Sequence, residues 1–291
     1  MYQIKSHLDN KPIITLIGGA GPDAAIDMQE KLLSAMRAKL DIRYDQEYYR
    51  IIVDNNTHLP NRDNALLSGG PSPLSTYIEC AKKLEDMGGS VLIISCNSAH
   101  AYFADIQKST KMKMIHMIEE TAHFIHMVHN KVKKVGLLST TSTLKKGLYH
   151  EALSKYSIEV VELNPRFQNH VVQAIYGIKA GCISNIKYVN NESRNRLYDI
   201  YKNVSDIKSS SEVGLPKDLL KSAVSSFLQQ GVEFIVLGCT EIPLVLTNRC
   251  AYGCTLIDPT EITASSAVDY AISLEKKANL PSSLFKKSIP Q

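Results

Sequence analysis

The chain has 291 residues, 44% of them hydrophobic and 21% charged, enough to build one elongated domain or two ordinary ones. Its net charge of +4 is scattered over Lys-containing segments, with no dense basic run interleaved with aromatics, which argues against a nucleic-acid partner. No stretch reaches the roughly 18 apolar residues that cross a bilayer, and polar residues 1–11 lack a signal-peptide core, so no membrane partner and a cytoplasmic location are expected.

The six cysteines, at 80, 96, 182, 239, 250 and 254, form no CxxC pair and no small-domain disulfide spacing. In a reducing compartment they are expected to be free thiols. CysX3His and CysX3Cys alone do not complete a tetrahedral ligand set, so no metal site is expected.

In chain order, short apolar runs at 12–17, 91–94, 134–138 and 234–237 each end in small or polar residues and lead into a helical pattern. Such alternation predicts an α/β fold with mainly parallel sheets. Ligands of these folds bind beyond the carboxyl ends of the strands, so the residues just after each run carry the functional information.

After the first run comes GGAGPDAA (18–25), with Pro22 suited to a first helical turn. It contains a formal GxGxxA, but the acidic residue of a dinucleotide site is expected about 20 residues on, and Asp54 lies 54 − 21 = 33 beyond Gly21. A dinucleotide site is therefore not expected. The segment THLPNRD (57–63) offers Arg62, whose planar fork suits a carboxylate.

The run at 91–94 ends in SCNSAH (95–100), and the run at 234–237 in GCTEIP (238–243). Each puts a thiol where strand becomes helix, where unpaired backbone N–H groups and the positive end of the helix dipole favour thiolate. One such cysteine is ordinarily a small buried hydrophobe. Two in matched contexts, Cys96 and Cys239, are expected to act as an acid/base pair, whereas the other four cysteines are expected to be structural.

The two halves also echo one another, with KPIITLIGGAGPDAAIDM followed by VKKVGLLSTTSTLKKGL, and GSVLIISCNSAH by VEFIVLGCTEIP. The offsets, 139 − 18 = 121 and 239 − 96 = 143, leave about 22 extra residues in the second half, assigned to the polar stretch 188–212. The expected organisation is two pseudo-symmetric Rossmann-like lobes with the active site in the cleft between them. Residues 1–115 form the lobe carrying Cys96 and residues 116–257 the lobe carrying Cys239, with a helix over about 258–276 packing back on the first lobe and a mobile tail after it. His116, His123, His126 and His129 are expected on a helix surface and His100 as support for the Cys96 turn, while the hydroxyls of 139–143 either contribute to the cleft or cap a helix.

CNSAH, GCTEIPL and the early GGAGPDAA resemble the signature segments of the aspartate/glutamate racemase superfamily over roughly residues 12–275, with the aspartate racemase branch the nearer match because Glu241 stands where glutamate racemases carry His. The resemblance implies a racemase without pyridoxal phosphate or another cofactor, in which Cys96 and Cys239 exchange the α-proton from opposite faces of a small acidic amino acid. It also implies a homodimer. By the same resemblance Arg62 and Lys179 hold the side-chain carboxylate, Asn97, Ser98 and Thr240 grip the α-carboxylate and ammonium, and Gly19 and Ala20 line the cleft through backbone groups. Ser98 stands where Thr is usual and Ala20 where Met is often found. Interconversion of L- and D-aspartate is the expected activity, with glutamate or a broader range also open. A maleate-type cis-trans isomerase, or a non-catalytic protein binding an acidic metabolite or a protein partner through 188–212, are the alternatives.

Overall fold

The computed structural model describes residues 11–181, 191–204, 213–248 and 250–279. Its framework is two four-stranded parallel sheets built to one plan. The first contains β1 (Ile14–Ile17), β2 (Ile51–Asp54), β3 (Val91–Ile94) and β4 (Lys113–Met114) in the order β2-β1-β3-β4. The second contains β5 (Lys134–Ser139), β6 (Glu159–Val161), β7 (Phe234–Gly238) and β8 (Thr255–Ile257) in the order β6-β5-β7-β8. The sequence echo is therefore a topological one: β1 corresponds to β5, and β3 to β7.

Parallel strands need crossover connections that cover the sheet faces, so central strands are buried on both sides and read as continuous apolar runs. β1 and β3 are buried along their whole length and pair in register, Ile14 with Val91 through Ile17 with Ile94. β5 and β7 pair from Gly136 with Ile235 to Ser139 with Gly238. The two cysteine-bearing turns thus leave equivalent strands of their sheets, at the carboxyl ends.

The first sheet is flanked by α1 (Pro22–Lys39), α2 (Arg62–Leu67), α3 (Leu74–Asp86) and α4 (Phe103–Lys108). α5 (Met117–Val128) leads into the second sheet, whose helices are α6 (Thr141–Lys145), α7 (Leu148–Ser154), α8 (Pro165–Lys179), α9 (Asn191–Tyr201) and α10 (Pro216–Gln229). The last helix, α11 (Pro259–Ala278), begins at Asp258, whose side chain accepts from the Thr260 N–H. α11 returns to the first sheet: Ala264, Ala267, Val268 and Ala271 pack against Met28, Leu32 and Met36 of α1. Their small side chains let the two helices approach closely.

The polar stretch 188–212, assigned to the insertion, contains a helix. Within it α9 buries Leu197 and Tyr201 completely in the second core, beside α8 and α10. Two apolar positions one helical turn apart are enough to dock a short amphipathic helix that is otherwise polar. The rest of that stretch, Cys182 and the C-terminal tail lie outside the described residues. No described helix is long and apolar enough to cross a membrane.

Candidate active site

A cleft of about 120 Å³ opens at the carboxyl ends of both sheets and is lined from both sides. The first sheet's elements contribute Ala20, Arg62, Asp63, Cys96, Asn97 and Ser98. From the second come Thr140, Tyr176, Lys179, Cys239, Thr240 and Glu241. Of the residues expected to act on or hold the substrate, all but Gly19 line this cleft. Gly19 serves the turn instead: its φ is +84°, and a Cβ there would run into the backbone of Asn56.

The Cys96 turn is braced from below. Residues Ser98–Tyr102 form a 3-10 turn, and the buried His100 ring donates from Nδ1 to the Cys96 carbonyl at 2.9 Å and accepts the Met117 N–H on Nε2 at 3.2 Å. This pairing requires a neutral ring, and burial together with His116 pushes the His100 pKa down to about 3. His116 departs from the helix-surface expectation. It accepts the Glu119 N–H as N-cap of α5 and packs against Phe103, whereas His123 and His126 are exposed.

Neither cysteine is followed directly by an α-helix. Cys96 precedes the 3-10 turn, and Cys239 a single turn over Ile242–Leu244, so the expected helix-dipole field is weak at both. At Cys239 the local chemistry opposes thiolate outright. Its thiol donates to Glu241 Oε2 at 2.9 Å, and burial with the adjacent carboxylate pushes the thiol well above its ordinary range, Lys179 acting the other way.

Glu241 is the functional group that residue patterning did not single out beyond its mismatch with His. It is 3% exposed, and its other carboxylate oxygen meets Lys179 Nζ at 2.5 Å. Burial alone would raise its pKa; the Lys179 charge and hydrogen bonds outweigh that and hold it low. The ammonium of Lys179 also donates to the Ala20 carbonyl at 2.7 Å. Burial works against its charge, but Glu241 holds it above its ordinary value. Lys179 thus already grips a carboxylate, and it is Glu241's.

Arg62 enters from α2 and donates to the carbonyls of Ala20 and Pro60. Burial disfavours its charge, and the neighbouring Cys96, Tyr77 and Glu241 more than compensate. Its Nε and the hydroxyl of buried Tyr77 have no hydrogen-bond partner, and both side chains are neighbours of Cys96. Ser98 Oγ sits 3.5 Å from the Cys96 sulfur.

Asn97 accepts the Tyr149 hydroxyl at 2.6 Å, which leaves its buried Nδ2 without a partner and available to a ligand. Thr240 is not free in the way expected: its hydroxyl donates to the Ser95 carbonyl at 3.2 Å, joining the two cysteine turns. Asp63 accepts from Ser142 Oγ and from the Tyr176 hydroxyl, closing one side of the cleft. Of the two readings of 139–143, Thr140 meets both: it accepts the Thr143 N–H at 3.4 Å as a cap and lines the cleft. Cys80, Cys250 and Cys254 do not line the cleft.

The arrangement combines two buried thiols, two half-buried cations and orphaned donors in one small cleft. It can hold an anion and move a proton at either side of it.

Residues 17–267 match the family described as Asp/Glu/hydantoin racemase. Over 167 residues, 57% of this chain and 71% of the relative, the sequence is 33% identical to the broad specificity amino-acid racemase RacX of Bacillus subtilis. The fold is similar to that of Picrophilus torridus aspartate racemase, with a TM-score of 0.68, 25% identity and coverage of 89% of this chain and 94% of that one. An aspartate racemase homologue from Pyrococcus horikoshii gives a TM-score of 0.61 at 22% identity, covering 89% and 98%.

Proposed function

Because the chain belongs to the Asp/Glu/hydantoin racemase family, we propose that it is an amino-acid racemase that interconverts L- and D-aspartate with Cys96 and Cys239 as its two acid/base groups and no cofactor. The observation that carries the reading is that both thiols line one cleft together with Arg62.

A racemase must take a proton from one face of the α-carbon and return one to the other, because a single base tends to give the proton back to the face it came from. Two thiols contributed by opposite lobes meet that need. The electron pair left on the α-carbon is delocalised into the α-carboxylate, and groups that stabilise this charge lower the barrier directly. Asn97 Nδ2, a buried donor with nothing else to bond, suits that carboxylate.

The preference for an acidic side chain rests on Arg62. Its guanidinium can receive a distal carboxylate in two parallel hydrogen bonds. Lys179 supports this less directly than its charge implies, because Glu241 already occupies it. The similarity to an aspartate racemase favours aspartate, and the similarity to a broad specificity racemase makes neutral amino acids the necessary comparison.

The test is a chiral assay of single enantiomers with no added cofactor, run in heavy water. Racemisation of aspartate with deuterium entering the α-carbon is the expected result, and Cys96→Ala or Cys239→Ala should abolish it while the circular dichroism spectrum is kept. Full activity in either variant would sink the two-thiol mechanism. Conversion of maleate without α-exchange of aspartate would point to the cis-trans isomerase instead.

A further inference from the structure

We propose that Tyr149, which does not itself line the cleft, is a positioning residue: its hydroxyl holds the Asn97 amide with the nitrogen turned to the ligand, so that this wall selects an α-carboxylate. The inference rests on the racemase reading above and extends it to a residue that reading does not use.

Tyr149 belongs to α7, beside the second sheet, and is fully buried in a core shared with Ile118, Ala122 and Ile125 of α5. A phenylalanine would fill the same space. Burying a hydroxyl costs free energy unless it finds a partner, and this one finds Asn97 Oδ1 at 2.6 Å, on the Cys96 turn of the first sheet. Burial pushes the phenol well above its ordinary range, so it stays protonated and donates.

That bond decides which end of the amide faces the cleft. Rotation of an Asn side chain exchanges a donor for an acceptor. A separation of 2.6 Å is an O–H···O distance, short for a contact in which nitrogen takes part. The carbonyl oxygen is therefore turned to Tyr149. Nδ2 is left buried and without a partner on a residue that lines the cleft. An arriving carboxylate supplies the missing acceptor. Turned the other way, the amide would present its oxygen and favour a ligand with N–H groups, such as a carboxamide.

Rotation of the side chain is the freedom that remains, because the backbone of the turn is already fixed. The Asn97 carbonyl accepts the His100 N–H at 3.0 Å, and the His100 ring links the Cys96 carbonyl to the Met117 N–H at the start of α5. The same helix packs against α7. α5 thus supports Asn97 twice, its backbone through His100 and its side chain through Tyr149.

The experiment measures the dissociation constants of L-aspartate and of its α-carboxamide by calorimetry on the full chain, in wild type, Tyr149→Phe, Asn97→Ala and the double variant. Racemisation kinetics and α-deuterium exchange are followed alongside. Wild type should prefer the carboxylate by about 10-fold or more, and Tyr149→Phe should narrow that preference about 3- to 10-fold, because a freed amide can turn its oxygen to the carboxamide. Asn97→Ala should narrow it as well, and Tyr149→Phe should then change nothing further. In Tyr149→Phe, kcat for aspartate should fall more than KM rises, since the donor is needed most when charge moves onto the α-carboxylate. Asn97→Asp, which has an oxygen at both ends and leaves Tyr149 intact, should reverse the preference.

A folded Tyr149→Phe with the wild-type preference overturns the proposal, as does a loss fully additive with that of Asn97→Ala, the outcome for a tyrosine that only supports the fold. An unreversed preference in Asn97→Asp overturns it too, as does a wild type that binds the two ligands equally or binds neither. Wild type that shows the preference but exchanges no α-proton with any amino acid removes the racemase reading, and leaves Tyr149 and Asn97 as the carboxylate selector of a binding protein.

Discussion

The Tyr176 hydroxyl donates to the Asp63 carboxylate at 2.9 Å, joining α8 beside the second sheet to α2 beside the first. Asp63 also accepts from Ser142, so one carboxylate fastens the segment that carries Arg62 to two helices across the cleft. Burial and the Asp63 charge push the Tyr176 hydroxyl up, which keeps it a donor at working pH.

Tyr176→Phe removes one of these two bonds. A single hydrogen bond is worth about 1 kcal/mol, so a modest loss of stability to urea is expected. The sharper effect is kinetic: a loosened α2 should raise KM for an acidic amino acid more than it lowers kcat. Steady-state kinetics check this, and an unchanged KM would mean that Ser142 alone closes the cleft.

Arg62→Lys keeps the charge and loses the fork. Losing a hydrogen bond to a charged group costs about 1.5–3 kcal/mol, roughly 10- to 150-fold in kcat/KM. The loss should fall on amino acids with a side-chain carboxylate and spare neutral ones. Parallel assays with aspartate and a neutral amino acid separate this from a general loss of activity.

Gly21→Ala tests how closely the first turn approaches the opposite lobe. A Cβ at Gly21 would run into Glu241 Oε1, the oxygen that pairs with Lys179. Overpacking of this kind costs about 1–3 kcal/mol, which a domain of this size survives. The variant should fold and lose most of its activity, and its Cys239 should be alkylated at lower pH as the carboxylate is driven off the thiol.

His100 predicts a pH dependence of stability. Its ring is neutral in the fold with a pKa pushed down to about 3, against an ordinary 6.5 when the chain is unfolded. Below pH 6.5 the unfolded chain binds a proton that the folded chain refuses, so the contribution is complete above 6.5 and is lost as pH falls toward 3. The slope is at most about 1.4 kcal/mol per pH unit for one histidine. Urea unfolding of wild type and His100→Gln at several pH values from neutral to acid should show a shallower decline in the variant, whose side chain does not titrate.

Much of the molecule was legible in its sequence because the signals are local. Buried parallel strands must be continuous apolar runs, so VLII and FIVLG announced themselves, and a functional turn in this architecture must follow such a run, which put Cys96 and Cys239 on the same footing before any coordinates. The apolar spacing from Ile262 to Leu274 likewise marked the closing helix that became α11. What the sequence could not carry is which side chain satisfies which across the cleft. Lys179 read as a free cation for a substrate, and Thr240 as a free hydroxyl; each is taken by a residue far away in the chain, Glu241 for Lys179 and the Ser95 carbonyl for Thr240. His116 read as a surface residue and became a cap packed on Phe103. The same turn geometry predicted thiolate at both cysteines, and the tertiary structure opposes it at Cys239. Periodicity reports which face of an element is buried, but the electrostatics of a buried thiol depend on charges brought within a few ångströms by folding, here Glu241 and Lys179 at Cys239.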